Sequence, residues 1–210
     1  MAAAIGESLH TWPALLLAQL EGAVSGGLDV VQIREPDLTG GELTRFVKDC
    51  VSLVRGTPTT VLVNDRADIV IAAGAHGLHL RDRSVSIEAA RGLLDRGCAI
   101  GRSIHTAEAA AKSRAADYMI AGSVFSTASK PGQPARMGLR GLAAVVVAAG
   151  ECPVWAIGGV TPERVQACRD AGASGVAGIG AFIAAVPRPE VAAAVETLTR
   201  NLRSYGSAPP

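Results

Sequence analysis

Aromatic side chains make up only 3% of the 210 residues, so the interior must be filled mainly by Val, Ile, Leu and Ala, as in parallel strands buried on both faces. The four cysteines (Cys50, Cys98, Cys152 and Cys168) show no C-x-x-C spacing, and neither His76 nor His79 has a cysteine within metal-ligand reach in sequence. That excludes a zinc ribbon and a disulfide framework, and the four read as small buried residues of a reduced, cytoplasmic protein. Charge is balanced at +1, with both signs mixed along the chain. There is no basic stripe for nucleic acid and no acidic tail. No apolar run approaches the ~20 residues of a membrane span, and residues 1–6 lack the charged and apolar regions of a signal peptide. What remains is a chain 49% apolar, enough for one substantial core. The reading is a single domain over residues 1–203 with a frayed tail at 204–210.

Along the chain, short apolar runs alternate with helical patterns. A helix signal at residues 13–24 precedes any convincing strand. Strands are expected at 28–34, 59–63, 77–80, 99–101, 117–121, 154–157 and 176–179. Helices are expected from the Thr39/Glu42 capping box to about 54, at 67–73 up to Gly74, from Ser86 to about 95, after Thr106, at 139–149, after Thr161-Pro162, and at 187–203. This rhythm predicts βαβ crossovers and a parallel sheet that closes as a (β/α)8 barrel. A first strand is missing or poorly formed, with residues 2–5 a weak substitute. A doubly wound open sheet is second, weakened by the lack of an early strand followed by G-x-G-x-x-G.

The most organised stretch is residues 153–181, P-V-W-A-I-G-G-V-T-P through G-V-A-G-I-G-A. Two successive strand-to-helix units each break at glycines, Gly158-Gly159 and Gly178 with Gly180. Bare N–H groups at the ends of neighbouring strands suit a phosphate, a common use of these two loops in such barrels. Tight turns alone would also explain each pair.

In a barrel the residues ending each strand converge on one face. Here they are Gln32 and Arg34, Asn64 and Asp65, residues 81–84, Ser103 and His105, residues 123–130, and the two glycine turns. Arg34 and Lys130 suit phosphate oxygens, and Asn64 and Asp65 are oxygen ligands of the kind Mg2+ takes alongside substrate phosphates. Structural alternatives stand beside these: Arg34 could pair Glu35 or Asp65, Asn64-Asp65 could cap the next helix, and Ser103 could be an ordinary loop hydroxyl. His79 reads as a barrel-interior histidine rather than a ligand.

The segments V-Q-I-R-E, N-D-R-A-D, G-L-H-L, G-R-S-I-H-T, D-Y-M-I-A-G-S-V-F-S-T-A-S-K-P-G, A-I-G-G-V-T-P and G-V-A-G-I-G occur in that order. Together they resemble the thiamine-phosphate synthase and thiazole-tautomerase (TenI-like) family. The resemblance implies a (β/α)8 barrel that joins hydroxymethylpyrimidine diphosphate to a thiazole phosphate and releases diphosphate with Mg2+. It places Gln32 at the pyrimidine and Arg34, Asn64, Thr127, Ser129 and Lys130 on the diphosphate. Asp65 falls on Mg2+, with Asp82 a substitute for a second carboxylate, and Ser103 beside the reacting pyrimidine. Arg34, Ser103 and Lys130 are the catalytic candidates, and Gly159, Ile179 and Gly180 cradle the thiazole phosphate. Expected partners are small phosphorylated substrates, with no nucleic acid or membrane and a homodimer as a permitted assembly.

Three positions depart from the pattern. Pro36 stands where the family has a lysine, Ser84 where it has the second metal carboxylate, and Ser123 where the tautomerase has its histidine. A TenI-like tautomerase and a noncatalytic phosphate-ligand binding protein are therefore the alternative readings.

Overall fold

The computed structural model describes residues 12–126, 137–182 and 190–204. Helix α1 (Trp12–Ser25) comes first, followed by β1 (Val30–Ile33), α2 (Gly40–Leu53), β2 (Thr60–Asn64), α3 (Ala67–Ala73) and β3 (Gly77–Leu80). Then come α4 (Ile87–Arg91), β4 (Ala99–Ile104), α5 (Ala107–Lys112), β5 (Tyr118–Gly122), α6 (Gly138–Ala149) and β6 (Val154–Ile157). A 3-10 turn (Pro162–Arg164) leads into α7 (Val165–Asp170), and β7 (Gly175–Ala177) and α8 (Val191–Ser204) end the order. The seven strands pair in parallel, each with its neighbour in sequence.

Alternate strand residues point to opposite faces, which divides the apolar residues into two layers. Val61, Val63, Leu78, Leu80 and Ile100 face the helices of the first half, while Met119, Ala121, Val154 and Ala156 face those of the second. The other face gathers Leu62, Tyr118 and Ile120 with Val30, Trp155 and Ile157. Residues from β1, β2, β5 and β6 can touch one another only if the sheet is rolled, which rules out the open sheet. Trp155 and Tyr118 stack at the centre of this interior, with centroids 4.2 Å apart. Two of the few aromatic residues thus sit where an all-aliphatic filling was expected.

Among the described residues β1 and β7 are the edges of the sheet, and helices from the two ends of the chain pack together. Helices α1 and α8 approach so closely that a Cβ on Gly22 would lie 2.0 Å from the Ala192 carbonyl oxygen. Gly26 meets the Glu196 carbonyl in the same way, at 2.7 Å, and Arg203 of α8 donates to Asp29 Oδ1 at 2.7 Å. The architecture is of the (β/α)8-barrel type, with seven strands among the described residues. The weak first strand expected at residues 2–5 lies outside them, as do residues 205–210 of the tail expected at 204–210, whereas Ser204 is the last residue of α8.

Several local expectations hold for the stated reasons. Thr39 Oγ1 accepts from Glu42 N and the Glu42 carboxylate accepts from Thr39 N, completing the capping box. Ser86 and Thr106 cap α4 and α5 by accepting from Ala89 N and Ala109 N, and Gly74 ends α3 in the left-handed conformation (φ 66°). Others shift. Helix α4 closes at Arg91 instead of running to residue 95, and Thr161 makes no side-chain cap because a 3-10 turn intervenes before α7. Strand β4 extends to Ile104, so Ser103 lies inside the strand, while β7 stops at Ala177 and leaves Gly178 and Ile179 in the following loop. All four cysteines are free thiols, but Cys98 and Cys152 lie at helix-to-strand junctions and are only half-buried.

Candidate active site

A cavity of about 1050 Å³ is bordered by interior strand residues, by residues at both ends of the strands and by α1, α2 and α8. Gln32, Arg34, Asn64, His79, Arg81, Ser103, Tyr118, Gly178 and Ile179 all border it, although the sequence scatters them over six strands and their loops. Inward alternation selects them: Gln32, Leu62, Asn64, His79, Ser103, Tyr118 and Ile120 belong to the face opposite the helices.

At the mouth between β1 and β2, Gln32 Nε2 donates to Asn64 Oδ1 at 3.0 Å, which fixes the Asn64 amide and leaves its own nitrogen available to a ligand. Asp65 follows in the left-handed conformation (φ 56°), uncommon for a residue with a side chain. It does not cap α3, whose N-cap is Arg66 without a side-chain bond. Instead its carboxylate turns toward the loop after β3. Oδ1 accepts from Arg81 N at 3.1 Å and from the Ser84 hydroxyl, and Oδ2 accepts from Arg81 Nε. Burial alone would raise this carboxyl. The hydrogen bonds from Ser84 and from the Arg81 backbone and side chain, with the guanidinium charge, outweigh it and hold the group below its ordinary range. Asp65 is therefore ionised, and its partner is Arg81, not Arg34.

Arg102 braces the loop that carries Arg81 and Ser84, donating to the carbonyls of Val85 at 2.6 Å and Asp82 at 2.9 Å. Asp82 itself is exposed on this loop. Arg34, just past β1, is exposed at the cavity rim, and the neighbouring Glu35 is buried.

Deeper in, His79 is 1% exposed, as its place within β3 implied. Its Nδ1 lies 2.9 Å from Tyr118 Oη and its Nε2 2.8 Å from Ser103 Oγ. Burial pushes the imidazole down to about 4, with Asp65 opposing and Arg102 adding to the shift, so the ring is neutral at pH 7. Ser103 is thus no ordinary loop hydroxyl. Tyr118 and Arg102 carry no motif character of their own. The one sequence signal for Tyr118 is the glycine at position 101, since a glycine within a strand marks a close approach by something else.

After β6, Gly158 (φ 98°) and Gly159 (φ 62°) both need the left-handed region, and a Cβ on Gly159 would lie 2.3 Å from the Ser126 carbonyl oxygen. The turn is further held by Arg164, which donates to the Gly159 carbonyl at 2.6 Å and stacks over Phe125. At the end of β7, Ile179 is half exposed and Gly180 begins a short 3-10 turn with open space around its Cα. Thr127, Ser129 and Lys130 lie outside the described residues.

Comparison with known proteins agrees with this geometry. A family model described as thiamine monophosphate synthase matches residues 4–182. The chain is 37% identical over 184 residues to a thiamine-phosphate synthase of Moorella thermoacetica, covering 87% of this chain and 86% of that one. It is 38% identical over 170 residues to the thiamine-phosphate synthase of Natronomonas pharaonis, covering 79% of each. Among solved structures, thiamine phosphate pyrophosphorylase from Pyrococcus furiosus superposes with a TM-score of 0.75 at 27% identity, covering 89% of this chain and 87% of that one. A 3-hexulose-6-phosphate synthase at 22% identity and TM-score 0.62 shares the fold alone.

Proposed function

The chain belongs to the thiamine monophosphate synthase family, and we propose that its cavity joins hydroxymethylpyrimidine diphosphate to thiazole phosphate, forming thiamine phosphate and releasing diphosphate. The observation that carries this reading is one cavity lined by two unlike groups of residues. Arg34, Asn64 and Arg81, the last paired with Asp65, line it at β1 to β3, Gly178 and Ile179 line it after β7, and Gln32 and Ser103 line it as well. Two phosphorylated substrates whose reacting rings meet in the middle fit that layout.

In this reading the pyrimidine lies near Gln32 and Ser103, its diphosphate among Arg34, Asn64 and the segment bearing Thr127, Ser129 and Lys130. The thiazole phosphate lies against residues 159, 179 and 180. The C–O bond between the pyrimidine methylene and the diphosphate breaks heterolytically, the electron pair leaving with the diphosphate, and the lone pair of the thiazole nitrogen forms the new C–N bond. No covalent enzyme intermediate is needed. The residues hold the two rings in line and offer positive charge and hydrogen bonds to the leaving oxygens.

The donor set also suits Mg2+. Asp65 is ionised and accepts from the Ser84 hydroxyl, a carboxylate that would suit a magnesium ion held together with substrate phosphates. Asp65 would hold the ion, with Asp82 the second candidate, and the ion would supply charge to the departing diphosphate. Arg81 covers Asp65 from an exposed side chain and is placed to exchange that carboxylate for a phosphate oxygen.

The test is turnover of both substrates by the purified chain across a Mg2+ series. Formation of thiamine phosphate supports the proposal. A folded protein that binds both substrates and forms none overturns it, and isomerisation of a thiazole carboxylate phosphate would assign the tautomerase activity instead.

A further inference from the structure

The strand register sets His79, Gly101 and Tyr118 side by side in one layer of the barrel, with His79 opposite Gly101 and Gly101 opposite Tyr118. One strand, β4, separates His79 from Tyr118, and a side chain on it would normally stand between them. A Cβ on Gly101 would fall 1.9 Å from Tyr118 Cζ and 2.3 Å from its Oη. The missing side chain is the opening through which the phenol crosses β4 to reach His79 Nδ1. Trp155 covers the ring from the far side. Ser103, two residues beyond Gly101 on the same face, stands one layer nearer the mouth and meets His79 Nε2.

A neutral imidazole has one N–H and one bare nitrogen, so these contacts admit two arrangements. With the proton on Nδ1, the ring donates to Tyr118 and accepts from Ser103, and the Tyr118 O–H is left over. With the proton on Nε2, Tyr118 donates to Nδ1 and the ring donates to Ser103, and the Ser103 O–H is left over. Tyr118 also touches the cavity but is only 4% exposed and packs among Leu62, Ile120 and Trp155, where an unpaired donor costs about 1–3 kcal/mol, whereas Ser103 is the more exposed of the two. Ser103 borders the cavity, where water or a ligand takes a proton readily.

We infer that Tyr118, His79 and Ser103 form a one-way hydrogen-bond chain that presents the Ser103 hydroxyl as a donor to an acceptor nitrogen of the heteroaromatic substrate. Tyr118 and His79 are positioning residues, acting through Ser103. The substrate half of this inference rests on the synthase reading; the direction of the chain rests on the geometry alone.

Two measurements test it. Long-range 1H–15N correlation on the full chain labelled at histidine reads the His79 tautomer without any ligand. The proton is expected on Nε2, and a proton on Nδ1 overturns the inference. Calorimetry then follows hydroxymethylpyrimidine diphosphate binding. Tyr118→Phe is expected to weaken it about tenfold while thiazole phosphate binding is unchanged, and Ser103→Ala is expected to add little in the Tyr118→Phe background. His79→Gln, whose amide can accept from Tyr118 and donate to Ser103, is expected to keep most of the affinity that His79→Leu loses. Unchanged pyrimidine affinity in Tyr118→Phe, or additive losses in the double variant, overturns the substrate half. If the wild type binds no pyrimidine diphosphate at all, the synthase reading fails and takes the substrate half with it, while the tautomer still decides the direction of the chain.

Discussion

The Ser84 hydroxyl donates to the Asp65 carboxylate across the mouth of the barrel. Position 84, where the family carries a second carboxylate, here carries a hydrogen-bond donor, so the negative charge of Asp65 is answered by the protein itself through Ser84 and Arg81. Ser84→Asp would set two carboxylates within hydrogen-bond reach, raising the carboxyl range of the pair and increasing its demand for a cation. The variant is expected to need about tenfold less Mg2+ for half-maximal turnover, and to be less stable than wild type in chelator. An unchanged Mg2+ requirement would mean that the ion is held chiefly by substrate phosphates.

Asp65→Asn keeps the size of the side chain and removes its charge. It is expected to lower turnover about a hundredfold, on the order of 3 kcal/mol of transition-state stabilisation. Thiazole phosphate affinity, measured by calorimetry, should stay within about twofold because the proposal seats that ligand at residues 159, 179 and 180 and not at Asp65.

The phosphate cradle is best probed at Gly180. Gly159 has a left-handed backbone, and any side chain there collides with the Ser126 carbonyl, so its replacement disturbs the turn as well as the ligand. A Cβ at Gly180 meets nothing within 4 Å. Gly180→Val is therefore expected to weaken thiazole phosphate binding about tenfold, close to 1.4 kcal/mol, with an unchanged thermal midpoint. Equal binding would remove Gly180 from the cradle.

His79 gives the fold a pH dependence of known sign. Its folded-state value, about 4, lies below the ordinary value of 6.5, so below pH 6.5 the unfolded chain binds the extra proton. The stability from keeping the ring neutral is complete above pH 6.5 and is lost as pH falls through 4. The full loss is about 3 kcal/mol for this buried group. Denaturant unfolding between pH 7 and pH 4.5 should show a steeper loss in wild type than in His79→Gln, which removes the contribution of this imidazole.

Much of the barrel was legible because its signals are local. Gly74 in the left-handed region, the Thr39/Glu42 capping box and the hydroxyl caps at Ser86 and Thr106 are each read by a few neighbouring residues. Alternation of short apolar strands with helices points to a parallel barrel, and the strand-end rule by itself groups Gln32, Asn64, Asp65 and Ser103.

Partnership was not legible. Sequence allowed Arg34 as the ion-pair partner of Asp65, and tertiary structure chose Arg81, because the Asp65 backbone in its left-handed turn hydrogen-bonds to the end of β3 and aims the carboxylate at the next loop. It took the register of β3, β4 and β5 to join Tyr118 to His79 through the gap at Gly101. A composition poor in aromatics likewise pointed to an aliphatic interior, whereas packing put Tyr118 and Trp155 at its centre. Periodicity fixes which face of a strand a residue occupies. Which side chains on that face meet depends on the offset between strands far apart in sequence, and that offset exists only once the sheet has closed.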